Sequence, residues 1–345
     1  MSERIVLAVD GGNSKTDLAL VRADGSLLAH VRGPLSSPHH LGLPESVGLL
    51  QRLLGEAVGV AGANGRVRPA VAQVFLAGVD FPSEEESLRA ALEEKRVAGH
   101  VVVGNDTIAL LRAGTERGWG VAVVCGAGIN CVGVAPDGRQ VRFPALGEIT
   151  GDWGGGYDVG SAALFAAARA EDGRGAHTSL EQAVPRHFGL DSPRQVAEEM
   201  HAGRISHRRL IELAPVVFAE AGTDAEAAAI VRRLADEVVA LARVALTRLG
   251  LERQPVEVVL GGGLLRAGDA RLQSAIVAGL AEVGDQIVVH TTDAPPVVGA
   301  ALLGLDWLDA DDAAKERARV ELTAAADADD DLEPTRPVGM EARRG

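Results

Sequence analysis

Two segments about 110 residues apart share one grammar, and that repeat limits the fold more than any other feature of the chain. In the first, the apolar strand Ile5–Val9 runs into the glycine turn of DGGNSKT (Asp10–Thr16), apolar character resumes over Leu18–Val21, and Asp24-Gly25 turns the chain into a third strand, Leu27–Val31. In the second, Val121–Val124, the turn CGAGIN (Cys125–Asn130), Cys131–Ala135, the pair Asp137-Gly138 and Gln140–Phe143 follow in the same order. Two such units predict two similar lobes facing each other, each offering a glycine hairpin to the gap.

The text around the repeats alternates strand and helix, which predicts an α/β core. VAQVFLAG (Val71–Gly78) and HVVVGND (His100–Asp106) read as buried strands; Glu45–Val60 has helical spacing, and Glu84–Lys95 reads as a helix capped by Ser83. Ser161–Leu251 is mostly helical, with a long amphipathic segment, Ala225–Leu249, ended by Gly250. VEVVLGGGLL (Val256–Leu265) gives a strand and a triple-glycine turn, and Gln286–Leu305 a strand, a Pro pair and a closing helix. Past Leu308 the acidic, Ala-rich run has little to bury and reads as a partly helical or disordered tail without chemistry. The domain reading is therefore a lobe over 1–114, a second over 115–308 with a helical insertion at about 161–250, and an acidic tail over 309–345.

Composition narrows the function. At 345 residues and 47% hydrophobic content the chain can build two ordinary cores, while a net charge of −14 argues against a nucleic-acid partner, which selects a basic face. Local sites for small anions remain open. The two cysteines, Cys125 and Cys131, form no CxxC pair and no zinc-type cluster. A charged-then-apolar leader and a run of about eighteen apolar residues are both missing, so a cytoplasmic location and no membrane partner are expected.

In DGGNSKT, Gly11 and Gly12 let backbone N–H groups approach a ligand, Asn13 is a further small polar residue, Ser14 and Thr16 add hydroxyls, Lys15 a cation, and Asp10 ends a strand where it can hold Mg²⁺ through water. The inventory suits a nucleotide phosphate or a plain polar hairpin; it is no Walker A loop, since a strand follows. Gly126, Ala127 and Gly128 offer a second, uncharged set of N–H donors. Gly261–Gly263 after a β-branched strand imply close approach to something flat, either a nucleoside or a packed helix. Asp106, ending the strand that begins at His100, is a general-base candidate or an N-cap. Gly147–Leu164 gathers six glycines with Glu148, Asp152, Trp153, Tyr157 and Asp158, an aromatic platform with carboxylates of the kind that holds polyhydroxylated ligands. His39 and His40, after a Ser-Pro turn, lack partners at metal spacing and read as surface or substrate-lining residues.

Taken in order, DGGNSKT, CGAGIN, GDWGGGYDVGSAAL and VVLGGGLL resemble the N-acetylglucosamine kinase branch of the BadF/BadG/BcrA/BcrD ATPase family, within the sugar kinase/actin/heat-shock-70 superfamily, over roughly Ile5–Leu305. The resemblance implies two ribonuclease-H-like (actin-like ATPase) lobes with a central cleft, ATP and Mg²⁺ as cofactors, and phosphoryl transfer to the 6-hydroxyl of an amino sugar in a homodimeric enzyme. It makes Asp106 the base and Asp10 the organiser of Mg²⁺. It puts Asp10–Thr16 and Gly126–Gly128 on the phosphates, and Gly261–Gly263 beside adenosine. It places Ser37, His39, Asp80, Asn105, Asp106, Asn130, Gly151, Asp152, Trp153 and Asp158 around the sugar. Two departures bear on the acceptor: LSSPHH (Leu35–His40) stands where an Asn often follows a small residue, and Ala127 replaces a common Thr. Glucosamine, glucose and N-acetylmuramic acid therefore stay open beside N-acetylglucosamine. Two other readings are an ATPase activator of the same family, which needs cluster-ligating cysteines, and a non-catalytic sugar or nucleotide sensor that has kept the fold, against which Asp106 together with Asp10 argues.

Overall fold

The computed structural model describes residues 4–62 and 67–332. In chain order the elements are β1 (Ile5–Gly11), β2 (Lys15–Arg22), β3 (Leu27–Pro34), α1 (Pro38–Leu41), α2 (Leu43–Val60), β4 (Val71–Leu76), α3 (Pro82–Glu94), β5 (His100–Gly104) and α4 (Asp106–Gly114). Then come β6 (Gly120–Cys125), β7 (Ile129–Val134), β8 (Gln140–Arg142), α5 (Gly155–Glu171), α6 (Leu180–His187), α7 (Pro193–His201), α8 (Ala214–Glu220) and α9 (Ala225–Leu249). The chain continues through β9 (Val256–Gly261), α10 (Gly263–Arg266), α11 (Ala270–Ala281), β10 (Ile287–Thr291), α12 (Pro296–Trp307) and α13 (Asp312–Leu332).

Among the described residues the strands form two five-stranded sheets, ordered β3-β2-β1-β4-β5 and β8-β7-β6-β9-β10. The repeat thus extends beyond its hairpins. In each sheet an antiparallel meander of three strands is followed by two strands parallel to the first. The fold is α/β, with one such sheet in each of two compact units.

Among the described residues, one unit holds those up to Val79, Glu85–Asp106 and those from Ala294 to Leu332; the other holds Asp80–Glu84 and Thr107–Asp293. This division differs from the linear one, because α12 and α13 return to the first unit. α12 packs on β1 and β4, and a side chain at Gly304 would run into Val6, so glycine there sets the closeness of helix and strand. In the second unit α9 packs on β6, β7 and α11, with Asp224 capping its start through Ala227 N (2.8 Å) and Gly250 its end at φ 70°.

Three local expectations need correction. α3 begins at Pro82, so Ser83 lies inside its first turn; the start is tied instead by Glu84, whose carboxylate accepts from the Asp80 and Phe81 amides at 2.9 and 3.0 Å. α5 begins at Gly155, so Tyr157 and Asp158 belong to a helix and not to the loop before it. The acidic run is not idle: Ala314, Ala318, Leu322 and Ala326 recur every four residues along α13 and are buried. Positions 333–345 of that run lie outside the described residues.

Candidate functional site

In the first unit, the carboxyl ends of β1, β4 and β5 gather the candidate residues, as parallel strands in α/β sheets do. Asp10 and Gly104 both pair with Phe75 of β4, from opposite sides, so Asp10 and the Asn105-Asp106 pair stand at one sheet edge two strands, roughly 10 Å, apart. Asp106 is the first residue of α4, and Asn105 is buried just before it.

The hairpin of DGGNSKT is closed by Gly12 N donating to Lys15 O at 2.8 Å, which leaves Asn13 and Ser14 exposed at its tip. Lys15 is half-exposed, its Nζ 3.9 Å from Asp17. Thr16 departs from expectation: it is fully buried and its hydroxyl donates to the Pro34 carbonyl at 2.7 Å, so it builds the hairpin and has no proton left for a phosphate.

The LSSPHH stretch packs onto the same edge. A side chain at Gly11 would collide with Ser36 Oγ, and one at Gly78 (φ 76°) would lie 2.8 Å from Ser37 Oγ and 3.0 Å from the His39 ring. Ser37 and His39 are therefore brought to the strand ends that carry Asp10, with the Ser36 and Ser37 hydroxyls buried and lacking hydrogen-bond partners.

The second unit holds the other half of the candidates. Gly126 N donates to Gly128 O at 2.9 Å, while the carbonyls of Gly126 and Ala127 accept from the Gly156 and Tyr157 amides at 2.8 and 3.1 Å. The start of α5 thus holds this hairpin from one side, and Gly155 (φ 85°) is glycine because a Cβ would lie 2.5 Å from Gly128 Cα. Gly262 (φ 86°) touches the same hairpin, since its Cβ would lie 2.5 and 2.8 Å from the Cys125 carbonyl carbon and amide nitrogen. Gly261 is closed off by Leu110, whereas Gly126, Gly128 and Gly263 have nothing within 4 Å of a would-be side chain. A glycine-walled cradle with open backbone results, and it suits a nucleotide. Asn130 Nδ2 donates to Asp80 at 3.3 Å, joining two of the residues expected around the sugar.

The Gly147–Asp158 segment borders a cavity of about 700 Å³ lined by Glu148, Asp152, Trp153, Asp158, Phe165 and Arg233. Gly151 lies on the same wall. Asp158 accepts from Gly154 N at 2.9 Å; burial pushes its carboxyl above the usual range, and the Glu148 charge adds to this against the pull of Gly154 N–H and Arg233. Asp152 accepts from the Thr150 hydroxyl. The Arg233 guanidinium sits 4.0 Å over the Trp153 ring, a cation–π contact that fixes the platform. Arg233 has no signal in the sequence: it stands 80 positions away on α9, one charge among several on that helix.

Among the described residues no three His, Cys, Asp or Glu side chains converge as metal ligands. The donors do fit a magnesium ion that arrives on nucleotide phosphates, for which one carboxylate reaching through water is enough, and Asp10 is placed for that. Cys125 and Cys131 are free and buried, and burial pushes the Cys125 thiol up to about 12 and raises that of Cys131 as well. Thiols so enclosed do not suit a cluster held between subunits, which weighs against an activator role.

The model of the BadF/BadG/BcrA/BcrD ATPase family matches residues 7–304. The chain belongs to that family. Two sugar kinases are similar to it. An N-acetylmuramic acid/N-acetylglucosamine kinase of Clostridium acetobutylicum is 27% identical over 76% of this chain and 86% of its own length. An N-acetyl-D-glucosamine kinase of Dictyostelium discoideum is 26% identical over 89% of this chain and 99% of its own. A crystal structure of a candidate N-acetylglucosamine kinase from Chromobacterium violaceum superposes with a TM-score of 0.68 at 25% identity, covering 87% of this chain and 99% of that one. This BadF/BadG/BcrA/BcrD ATPase also shares its fold, at 16% identity and a TM-score of 0.52, with a glucokinase from Streptomyces griseus solved with glucose and AMPPNP.

Proposed function

We propose that the chain is an ATP-dependent sugar kinase that phosphorylates an amino sugar, N-acetylglucosamine first, on its 6-hydroxyl. The observation that carries this reading is the shared sheet edge of Asp10 and Asp106, in a family member whose two matched relatives both bear N-acetylglucosamine kinase names. Asp106 takes the proton of the sugar hydroxyl as its oxygen attacks the γ-phosphorus, and ADP leaves on the far side. Asp10 would hold a Mg²⁺ ion brought by the nucleotide, which when bound would offset the phosphate charge. Asn13, Ser14, Lys15 and the amides of Ala127 and Gly128 hold the phosphates, that of Gly126 being taken by Gly128 O, and the Gly261–Gly263 turn borders the adenosine through Gly263. Ser37, His39, Asp80, Asn105, Asn130, Gly151, Asp152, Trp153 and Asp158 surround the sugar. A homodimer in the cytoplasm completes the reading. N-acetylmuramic acid is a second acceptor, favoured by the roominess of the 700 Å³ cavity and by Arg233 on its wall, a cation for a carboxylate.

A coupled ADP-release assay over N-acetylated, free-amine and plain hexoses tests the reading, with sugar-dependent turnover expected. Asp106→Asn should lower turnover by roughly 10²- to 10⁴-fold while MgADP binding stays within a few-fold. Near-normal turnover in that variant overturns the assignment of the base.

A further inference from the structure

α13 lies beyond the span that the family model matches, yet it is built into the first unit at its hairpin. Gly25 (φ 85°), in the β2–β3 turn, lies against the Ala314 carbonyl, where any side chain would collide. Arg317 reaches Asp24 at 3.4 Å, and Glu321 Oε2 accepts from the backbone N–H of Leu27 on β3 at 2.8 Å. Farther along, Arg32 Nη2 donates to the Ala326 carbonyl at 3.2 Å, and Asp329 Oδ2 lies 2.9 Å from His30 Nδ1, at contact distance though off the hydrogen-bond direction.

The same two β3 residues grip a carboxylate on the other side. Arg32 donates from Nε and Nη2 to the two oxygens of Asp17 at 2.7 and 3.3 Å, and His30 Nε2 lies 3.2 Å from that group, close though off the hydrogen-bond direction. Lys15 Nζ is 3.9 Å from Asp17 Oδ2. Asp17 is buried; burial pushes its carboxyl up, but His30 and Arg32, with the Lys15 charge, outweigh this and hold it below the usual range. In register, Asp17 stands opposite Arg32 on β3 and opposite Asp10 on β1. Cross-strand partners share a face with Cβ atoms about 5 Å apart, and like charges there repel. Asp10 and Asp17 are such a pair, and Arg32 and Lys15 supply positive charge beside it.

We infer that α13 is a strap for the first hairpin: by holding Arg32 through Ala326 and His30 through Asp329, it fixes Asp17, and through Asp17 it sets Lys15 and the charge beside Asp10. Asp17, His30, Arg32 and Asp329 are positioning residues for nucleotide binding. The inference rests on reading DGGNSKT as the phosphate hairpin.

The test is MgADP binding by calorimetry, without sugar, to the full chain and to Asp329→Ala, Asp329→Glu and Arg32→Lys, alongside amide hydrogen exchange over Asn13–Lys15. Loss of one charge-assisted contact predicts about three- to tenfold weaker MgADP binding in Asp329→Ala, partial recovery in Asp329→Glu, and faster exchange at the hairpin. Sugar KM should be unchanged. If Asp329→Ala and Arg32→Lys lose thermal stability but bind MgADP as the parent does, α13 is packing alone and the strap is wrong. A parent chain that binds no MgADP overturns the nucleotide reading itself, and the strap with it.

Discussion

Gly262→Ala isolates what the triple glycine is for. A Cβ at Gly262 would lie 2.5 Å from the Cys125 carbonyl carbon and 2.8 Å from its amide nitrogen, and the residue holds φ 86° and ψ 159°. Both neighbours are strand backbone, which no rotamer change can move. That region of φ and ψ costs a non-glycine residue about 1–3 kcal/mol, and the overpacking about 1–3 kcal/mol more. The sum predicts a loss of roughly 4 kcal/mol, a fall in Tm on the order of 10 °C. Gly263→Ala is the control, because its Cβ meets nothing within 4 Å and its φ is not left-handed. Stability should change by less than about 0.5 kcal/mol, while MgADP binding weakens if the nucleotide passes there. Urea titrations followed by circular dichroism, paired with calorimetric MgADP binding, read both quantities. A Gly262→Ala protein as stable as the parent, or a Gly263→Ala protein as damaged as Gly262→Ala, would refute the division into a packing glycine and a ligand-facing one.

Asp224→Ala removes a carboxylate that accepts from Ala227 N at 2.8 Å, Ser179 N at 2.7 Å and the Thr178 hydroxyl at 2.9 Å, and should cost about 2–3 kcal/mol in urea unfolding with little change in nucleotide affinity. Trp153→Ala withdraws the ring beneath Arg233, and sugar KM should rise about tenfold with a smaller effect on kcat. The folded-state carboxyl of Asp17 is depressed, so its contribution is present above the unfolded value, near 3.9, and is lost as pH falls through the lower folded value. Asp17→Asn should therefore flatten the acid limb of stability below about pH 4.

Most of the architecture was legible because it is carried by local signals. The alternation of β-branched runs with Asp-Gly and Gly-rich turns locates the two meanders, and apolar periodicity with Gly250 at its end delimits α9. Helix starts were misplaced where glycine hid them. Gly155 and Gly156 look like loop, yet their backbone is held by the second hairpin, a tertiary contact that overrides weak helix propensity. The acidic tail was misread for a related reason. Its buried stripe is made of alanines and one leucine, small enough for α13 to approach β3 closely yet too weakly hydrophobic to stand out among so many carboxylates. That Asp10 and Asp106 stand at the carboxyl ends of strands was legible, because an apolar β-branched run broken by a carboxylate marks such an end. Thr16 and Arg233 were not: whether a hydroxyl faces a ligand or a carbonyl, and which helical arginine meets a tryptophan, depend on partners 18 and 80 residues away.

The two meanders repeat, but what steadies their hairpins does not. The second hairpin is held by the start of α5, whose amides bind the Gly126 and Ala127 carbonyls, and the same first turn carries Asp158. At the first hairpin the stretch after β3 brings Ser36 against Gly11, and the residues behind the hairpin, Asp17, Arg32 and His30, are met by α13 at the far end of the chain. A glycine hairpin presents its amides well only if something rigid holds it, since the glycines that allow close approach also let it wander. Duplication of a meander supplies two such hairpins and the strand order around them. The holding was solved separately for each, once by a helix in the adjoining sequence and once by a helix nearly 300 residues away.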